Sequence, residues 1–162
     1  MKRNVALNMH QTDLSLPNPP APGGSYTPVN VRANIAYVAI QFPIKNNRYL
    51  FQGRLGKNLG VEAGYEAAEL CALNILSQVN YYTGLHRVTG LNHLDIYLQQ
   101  APGWDEAPHV ADGASDFFLK LLGNRGQHAR AIVGVHSLPR NFCVGITASF
   151  TLEATDHPVM TK

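Results

Sequence analysis

The stretch Ala129-Arg130-Ala131-Ile132-Val133-Gly134-Val135-His136-Ser137-Leu138-Pro139, with the alternating run from Phe142 to Leu152 behind it, decides how this chain folds. Its first half is small and apolar apart from Arg130, and a cation in such company is seldom left without an anionic partner. Leu138-Pro139-Arg140-Asn141 then breaks the chain between two strands. In the second strand Phe142, Val144, Ile146, Ala148, Phe150 and Leu152 share one parity, while Cys143, Gly145, Thr147, Ser149 and Thr151 share the other. The first set should meet helices. The second suits close contact between sheets better than open solvent, where Lys, Glu and Arg would be commoner, and so points to an oligomer built through the sheet.

Upstream, Val110, Ala114, Phe117, Phe118, Leu121 and Leu122 recur at helical spacing, with Asp105, Glu106 and Pro108 near the start and Gly123 and Gly126 at the end. Val88 to Leu98 reads as a strand. A longer helix precedes it, marked by Val61, Tyr65, Ala68, Ala72, Ile75, Leu76 and Val79, with Asn58 or Gly60 as its start and Gly84 past its end. Before that come a turn-rich stretch through Asn46-Asn47 and Gly53 to Gly60 and a strand from Asn34 to Phe42. The order strand, helix, strand, helix, strand, strand predicts an α+β fold, a mixed sheet with both helices against one face. Pro17, Pro19, Pro20, Pro22 and Pro28 fix extended or turning backbone, read as an ordered surface arm leading into Tyr26. The organisation expected is an arm over 1–22, one domain over 23–153 and a tail over 154–162.

A 162-residue chain with 45% hydrophobic and 15% charged residues is that of one globular domain with much covered surface. The net charge is +2, and the basic residues are scattered singly apart from Lys2-Arg3, so no nucleic-acid partner is expected. Cys71 and Cys143 fall inside a helix and a strand pattern without metal-ligand spacing, and read as reduced, buried thiols suited to a cytoplasmic location. No apolar run approaches membrane-spanning length, and polar Asn4, Asn8, His10 and Gln11 interrupt anything resembling a signal peptide. The seven histidines lie too far apart to suggest a metal site. No phosphate-cradling glycine loop, nucleophile elbow or metal helix occurs, so no cofactor is expected.

The pattern Ala-Arg-x-x-Val-x-Val-x-x-Leu-Pro at 129–139 resembles the last third of the Rid family, also called YjgF-like, and the likeness runs from about Gly23 to Leu152. The resemblance implies a chorismate-mutase-like fold and a homotrimer with a central sheet barrel. It also implies pockets between subunits in which reactive imines and enamines are hydrolysed. Some relatives carry a ribonuclease label; this chain shows neither a basic groove nor interleaved aromatics for that work. By the same resemblance Arg130 is the residue that binds a substrate carboxylate, with Ile132 beside it. Gly24-Ser25-Tyr26 matches a Gly-Pro-Tyr element bordering the pocket. Ala39-Ile40-Gln41-Phe42-Pro43 stands where the family has Ser-Gly-Gln-x-Pro, which implies a smaller or more apolar wall at Ala39 and Ile40. The family's water-positioning glutamate, six residues after the Leu-Pro proline, corresponds to Gly145.

A planar guanidinium with five fixed donors is well made to hold a carboxylate by parallel bonds. Arg130 could equally pair with a carboxylate of its own chain or fork onto backbone carbonyls. Hydrolysis needs a steered water and a proton carrier, and glycine at 145 supplies neither. Asp112, Asp116, Glu153, His128 and His136 are the candidates to replace it, and no catalytic residue is assigned. Two readings stand: a protein that binds a small carboxylate-bearing intermediate between subunits and acts on an imine or enamine, by hydrolysis or a redirected reaction, and a non-catalytic trimeric ligand-binding or structural protein of the same fold.

Overall fold

The computed structural model describes residues 15–154. Chain order gives β1 (Val29–Arg32), β2 (Ile35–Gln41), a small hairpin of β3 (Ile44–Lys45) and β4 (Arg48–Tyr49), helix α1 (Val61–Thr83), β5 (Val88–Gln99), helix α2 (Ala107–Leu122), β6 (Ala129–Val135) and β7 (Val144–Leu152). Five strands form one sheet in the order β1-β2-β7-β5-β6. β5 and β6 run parallel, and the other neighbours are antiparallel. The mixed α+β sheet expected from the sequence is therefore present, with β1 and the β3–β4 hairpin added to the strand order.

Both helices end where glycine permits. Gly60 is the N-cap of α1, and Gly84, at φ 81°, closes it by donating its N–H to the carbonyls of Val79 and Asn80. Glu106 precedes α2 and Gly123 follows it. The two helices approach closely because Gly113 leaves no side chain: a Cβ there would run into the backbone carbonyl of Tyr65. Ala67, Ala68, Cys71 and Ala72 of α1 are wholly buried in the core beside Phe118 and Leu121 of α2.

The sheet's parity falls as expected on the helix face. Val144, Ile146, Ala148, Phe150 and Leu152 of β7 are all buried, together with Leu94, Ile96 and Leu98 of β5. The other face is open in a single chain, with Tyr37 53% and Val133 41% exposed. At its centre Thr147 donates to Asp95 over 3.1 Å, and His93 lies 3.5 Å from the same carboxylate. Two residues of the second parity do not belong to that open face. Cys143 precedes β7, with its N–H on the carbonyl of Phe51, and is completely buried. Gly145 is covered by Ile40 and Phe42.

In the described part of the arm Leu16 packs against the core, and the carbonyl of Pro20 accepts a bond of 2.7 Å from Gln78 of α1. Residues 1–14 of the expected arm and 155–162 of the expected tail lie outside the described residues.

Candidate functional site

A cleft of 570 Å³ lies where the arm crosses the ends of β2 and β7. Pro20, Pro22 and Tyr26 form the arm side; Ile40, Gln41 and Phe42 come from β2 and the residue after it; Tyr49, Gln78, Pro139, Arg140 and Phe142 complete the walls. Three local features shape it. First, the register of β2 on β7 shifts between Val38 and Gln41, a bulge that re-aims Ile40. Ala39, within the bulge, is held by its N–H on the carbonyl of Pro28 at 2.9 Å. Second, Phe42 stacks on Phe142 with ring centres 4.9 Å apart, and Tyr49 meets Phe142 edge-on. Third, the turn Leu138–Asn141 carries two residues in left-handed conformation, Arg140 (φ 56°) and Asn141 (φ 60°). Such backbone persists only where its surroundings enforce it.

Gln99, 2% exposed, supplies much of that enforcement. Its side-chain oxygen accepts from the N–H of Leu138 at 2.7 Å, and its Nε2 donates to Asn141 Oδ1 at 2.6 Å and to the carbonyl of Gly53 at 2.9 Å. Gln52 adds a bond of 2.7 Å from Nε2 to the carbonyl of Arg140. Sequence reasoning missed both glutamines and Arg140; the only signal was a polar residue at the end of an apolar strand.

Of the residues singled out by resemblance, Tyr26 and Ile40 line this cleft. The Tyr26 oxygen accepts from the N–H of Gly23 at 3.1 Å, so the hydroxyl also braces the arm and keeps its proton to donate. Gly145 lies behind the wall: a Cβ there would stand 2.7 Å from Phe42 Cε1 and 2.8 Å from Ile40 Cδ1. The space an acid at 145 would occupy is thus filled by apolar atoms. Beneath the cleft, Gln78 Nε2 donates to Pro20 and, over 3.3 Å, to Gln41 Oε1, while Gln78 Oε1 has no partner among the described residues.

Arg130 and Ile132 stand apart from this cleft, on edge strand β6. β7 and β5 separate β6 from β2, which amounts to about 14 Å of sheet. Arg130 pairs in register with Leu94, and its Nη1 donates to Asp112 Oδ1 at 2.7 Å and to Ser115 Oγ at 2.9 Å on α2. His128 fixes that serine. Its Nδ1 lies 2.6 Å from the carbonyl of Gly126 and must carry the proton, so Nε2 accepts from Ser115 at 3.0 Å. Ser115 then presents a lone pair to the guanidinium. Ile132 packs against the core.

The candidates for a replacement acid are engaged elsewhere: Asp112 on Arg130, Asp116 as acceptor of the Tyr65 hydroxyl at 3.0 Å, and His128 on Ser115. The bond to Asp116 raises the Tyr65 phenol above its ordinary value, with burial and nearby carboxylates adding to it. His136 offers its carbonyl to Arg54, and the backbone N–H of Glu153 donates to the carbonyl of Arg87. None of these five lines the cleft. Among the described residues, no group of three or more His, Cys, Asp or Glu is gathered to hold a metal ion, and no helix is long and apolar enough to cross a membrane.

The family model described as "YjgF/chorismate_mutase-like, putative endoribonuclease" matches residues 7–150. The chain belongs to the YjgF family. It is similar to Protein TCP17 of Trypanosoma cruzi, 34% identical over 146 residues, covering 89% of this chain and 91% of that protein. Among solved structures it resembles the "putative endoribonuclease" of Shewanella oneidensis, 30% identical with a TM-score of 0.86 over 90% of this chain and 97% of that one. Atu1372 of Agrobacterium tumefaciens, a protein of unknown function, gives 32% identity and a TM-score of 0.82 over 90% and 91% of the two chains. The sequence resemblance and the two-helix, mostly antiparallel sheet therefore lead to the same YjgF fold.

Proposed function

We propose that this YjgF protein binds a small carboxylate-bearing intermediate, of the imine or enamine kind, in a pocket completed between copies of a homotrimer. The cleft beside Tyr26 and Ile40 receives the body of the ligand, and Arg130 of a neighbouring copy receives its carboxylate. The observation that carries this reading is the state of Arg130. Among the described residues Nη1 alone is spent, on Asp112 and Ser115, which orients the guanidinium and leaves its remaining donors for an anion. Arg130 is set apart from the cleft within one chain and turned to α2, so this reading takes the arginine from a second copy approached along the edge of β6, and the open sheet face with exposed Tyr37 and Val133 gives the assembly a surface to cover.

The same geometry argues against a carboxylate-steered water. With Ile40 and Phe42 filling the space in front of Gly145, a bound intermediate meets hydrocarbon where the family places an acid. Binding, sheltering or redirecting the intermediate fits such a wall better than hydrolysing it. This observation also favours the second reading, a trimeric binding protein without catalysis.

Calorimetry with small 2-oxo acids, the stable counterparts of the imines, tests the anchor. Arg130→Ala should abolish binding with the assembly intact, and Arg130→Lys should weaken it because a point charge replaces a planar fork. Unchanged affinity in both variants would make Arg130 a structural partner of Asp112 and overturn the proposal.

A further inference from the structure

Arg140 is the cation that the cleft itself supplies. It lines the cavity from a turn held in left-handed backbone by Gln52 and Gln99, a conformation that is strained for a residue other than glycine. Simple chain reversal would favour glycine or asparagine at this position. No aspartate or glutamate lines the cleft, and among the described residues no ion pair involves Arg140. The cavity's 570 Å³ falls within the range of about 300–1,000 Å³ typical of sites for drug-sized ligands, well beyond a three- or four-carbon acid. Its body is apolar and aromatic, from Ile40 and the Phe42–Phe142 stack. The floor is held by Gln78, 1% exposed, whose Nε2 donates to the carbonyl of Pro20 and to Gln41 Oε1 and so ties the arm to β2 beneath the cavity.

From these we infer that Arg140 is a specificity-determining residue for a second anionic group, and that the ligand class is an aromatic or bulky apolar-bodied diacid. The inference rests on the proposed reading of the cleft as the ligand site. One acid meets Arg130 of a neighbouring copy, the apolar body lies along Ile40 and Phe142, and the far acid meets Arg140.

The test is a calorimetric series of acetate, phenylacetate and 4-carboxyphenylacetate, which changes the body and the second charge one at a time. The wild type should prefer phenylacetate to acetate and bind the diacid about tenfold tighter still, the scale of one charge-assisted hydrogen bond. Arg140→Gly, which relieves the left-handed backbone, should erase the tenfold preference for the diacid over phenylacetate. Arg140→Lys should recover part of the difference, and Arg130→Ala should weaken all three acids. Equal wild-type affinity for phenylacetate and the diacid overturns the inference without any variant. An Arg140→Gly that weakens both equally also overturns it, and in either case the site reading stands. No binding of any of the three acids overturns both.

Discussion

Placing a methyl group at Gly145 asks the cleft wall to move. The Cβ of Gly145→Ala would lie 2.7 Å from Phe42 Cε1, 2.8 Å from Ile40 Cδ1 and 3.1 Å from Ile40 Cγ1, closer than such atoms pack. The Ile40 side chain can turn away. Phe42 has less freedom, being stacked on buried Phe142 with its backbone carbonyl held by Asn74 Nδ2 at 3.0 Å. Overpacking of this kind costs about 1–3 kcal/mol. Urea denaturation at fixed protein concentration should therefore show a lower midpoint for Gly145→Ala with the slope unchanged. Removing the obstruction should recover the loss. In an Ile40→Gly background the alanine should cost less by about 1 kcal/mol, a coupling that a double-mutant cycle isolates. A Gly145→Ala variant within about 0.5 kcal/mol of wild type would refute the argument that apolar atoms fill the place of the acid. So would a cycle with no coupling.

Three further outcomes follow from the same geometry. On 2-iminopropionate generated in place by an amino acid oxidase, imine should disappear at the uncatalysed rate with the wild type, and Gly145→Glu alone should gain nothing because Ile40 and Phe42 obstruct it; robust wild-type turnover would contradict this. Val133→Glu, a charge set into the open sheet face, should convert the proposed trimer to monomer, whereas a wild type already monomeric at micromolar concentration would remove the assembly. Burial raises the Cys143 thiol from 9.0 to about 12 and Cys71 well above the same value, with the nearby Cys143 adding to the latter. Neither thiol should react with a disulfide reagent near pH 8 until the chain unfolds. Because both folded values are raised, the stability this provides is complete below pH 9 and declines above it as unfolded thiols ionise. Fast labelling of the native protein would contradict the burial.

The large elements were legible because local signals and tertiary packing agree. Gly60 and Gly84 bracket a helix whose apolar stripe is the buried one, and the parity of β7 from Ile146 to Leu152 matches its burial residue by residue. β1 is four residues long and abuts the arm, too short for alternation to declare itself. The β3–β4 hairpin turns on Asn46 and Asn47, both at positive φ, a two-residue turn whose flanking strands are too short to show in a stretch that reads only as turn-rich. Cys143 and Gly145 obeyed the strand parity but not its consequence, since Phe51, Ile40 and Phe42 cover them from elsewhere in the chain. For the candidate site, Arg130 and Tyr26 are singled out through their motif. That they lie far apart in one chain is a fact of sheet order, and β6 at the sheet edge cannot be read from spacing. Arg140 went unmarked because its left-handed backbone is enforced by Gln52 and Gln99, each about forty or more residues away in sequence.

The most direct test of the central claim is a crystal structure of the protein with phenylpyruvate. The account predicts a trimer closed through the sheet faces, with the ligand's ring in the cleft between Tyr26, Ile40 and Phe142 and its carboxylate on Arg130 of the neighbouring copy. An assembly in which Arg130 faces no cleft and remains bound only to Asp112 and Ser115, or a ligand seated away from Tyr26 and Ile40, would contradict it.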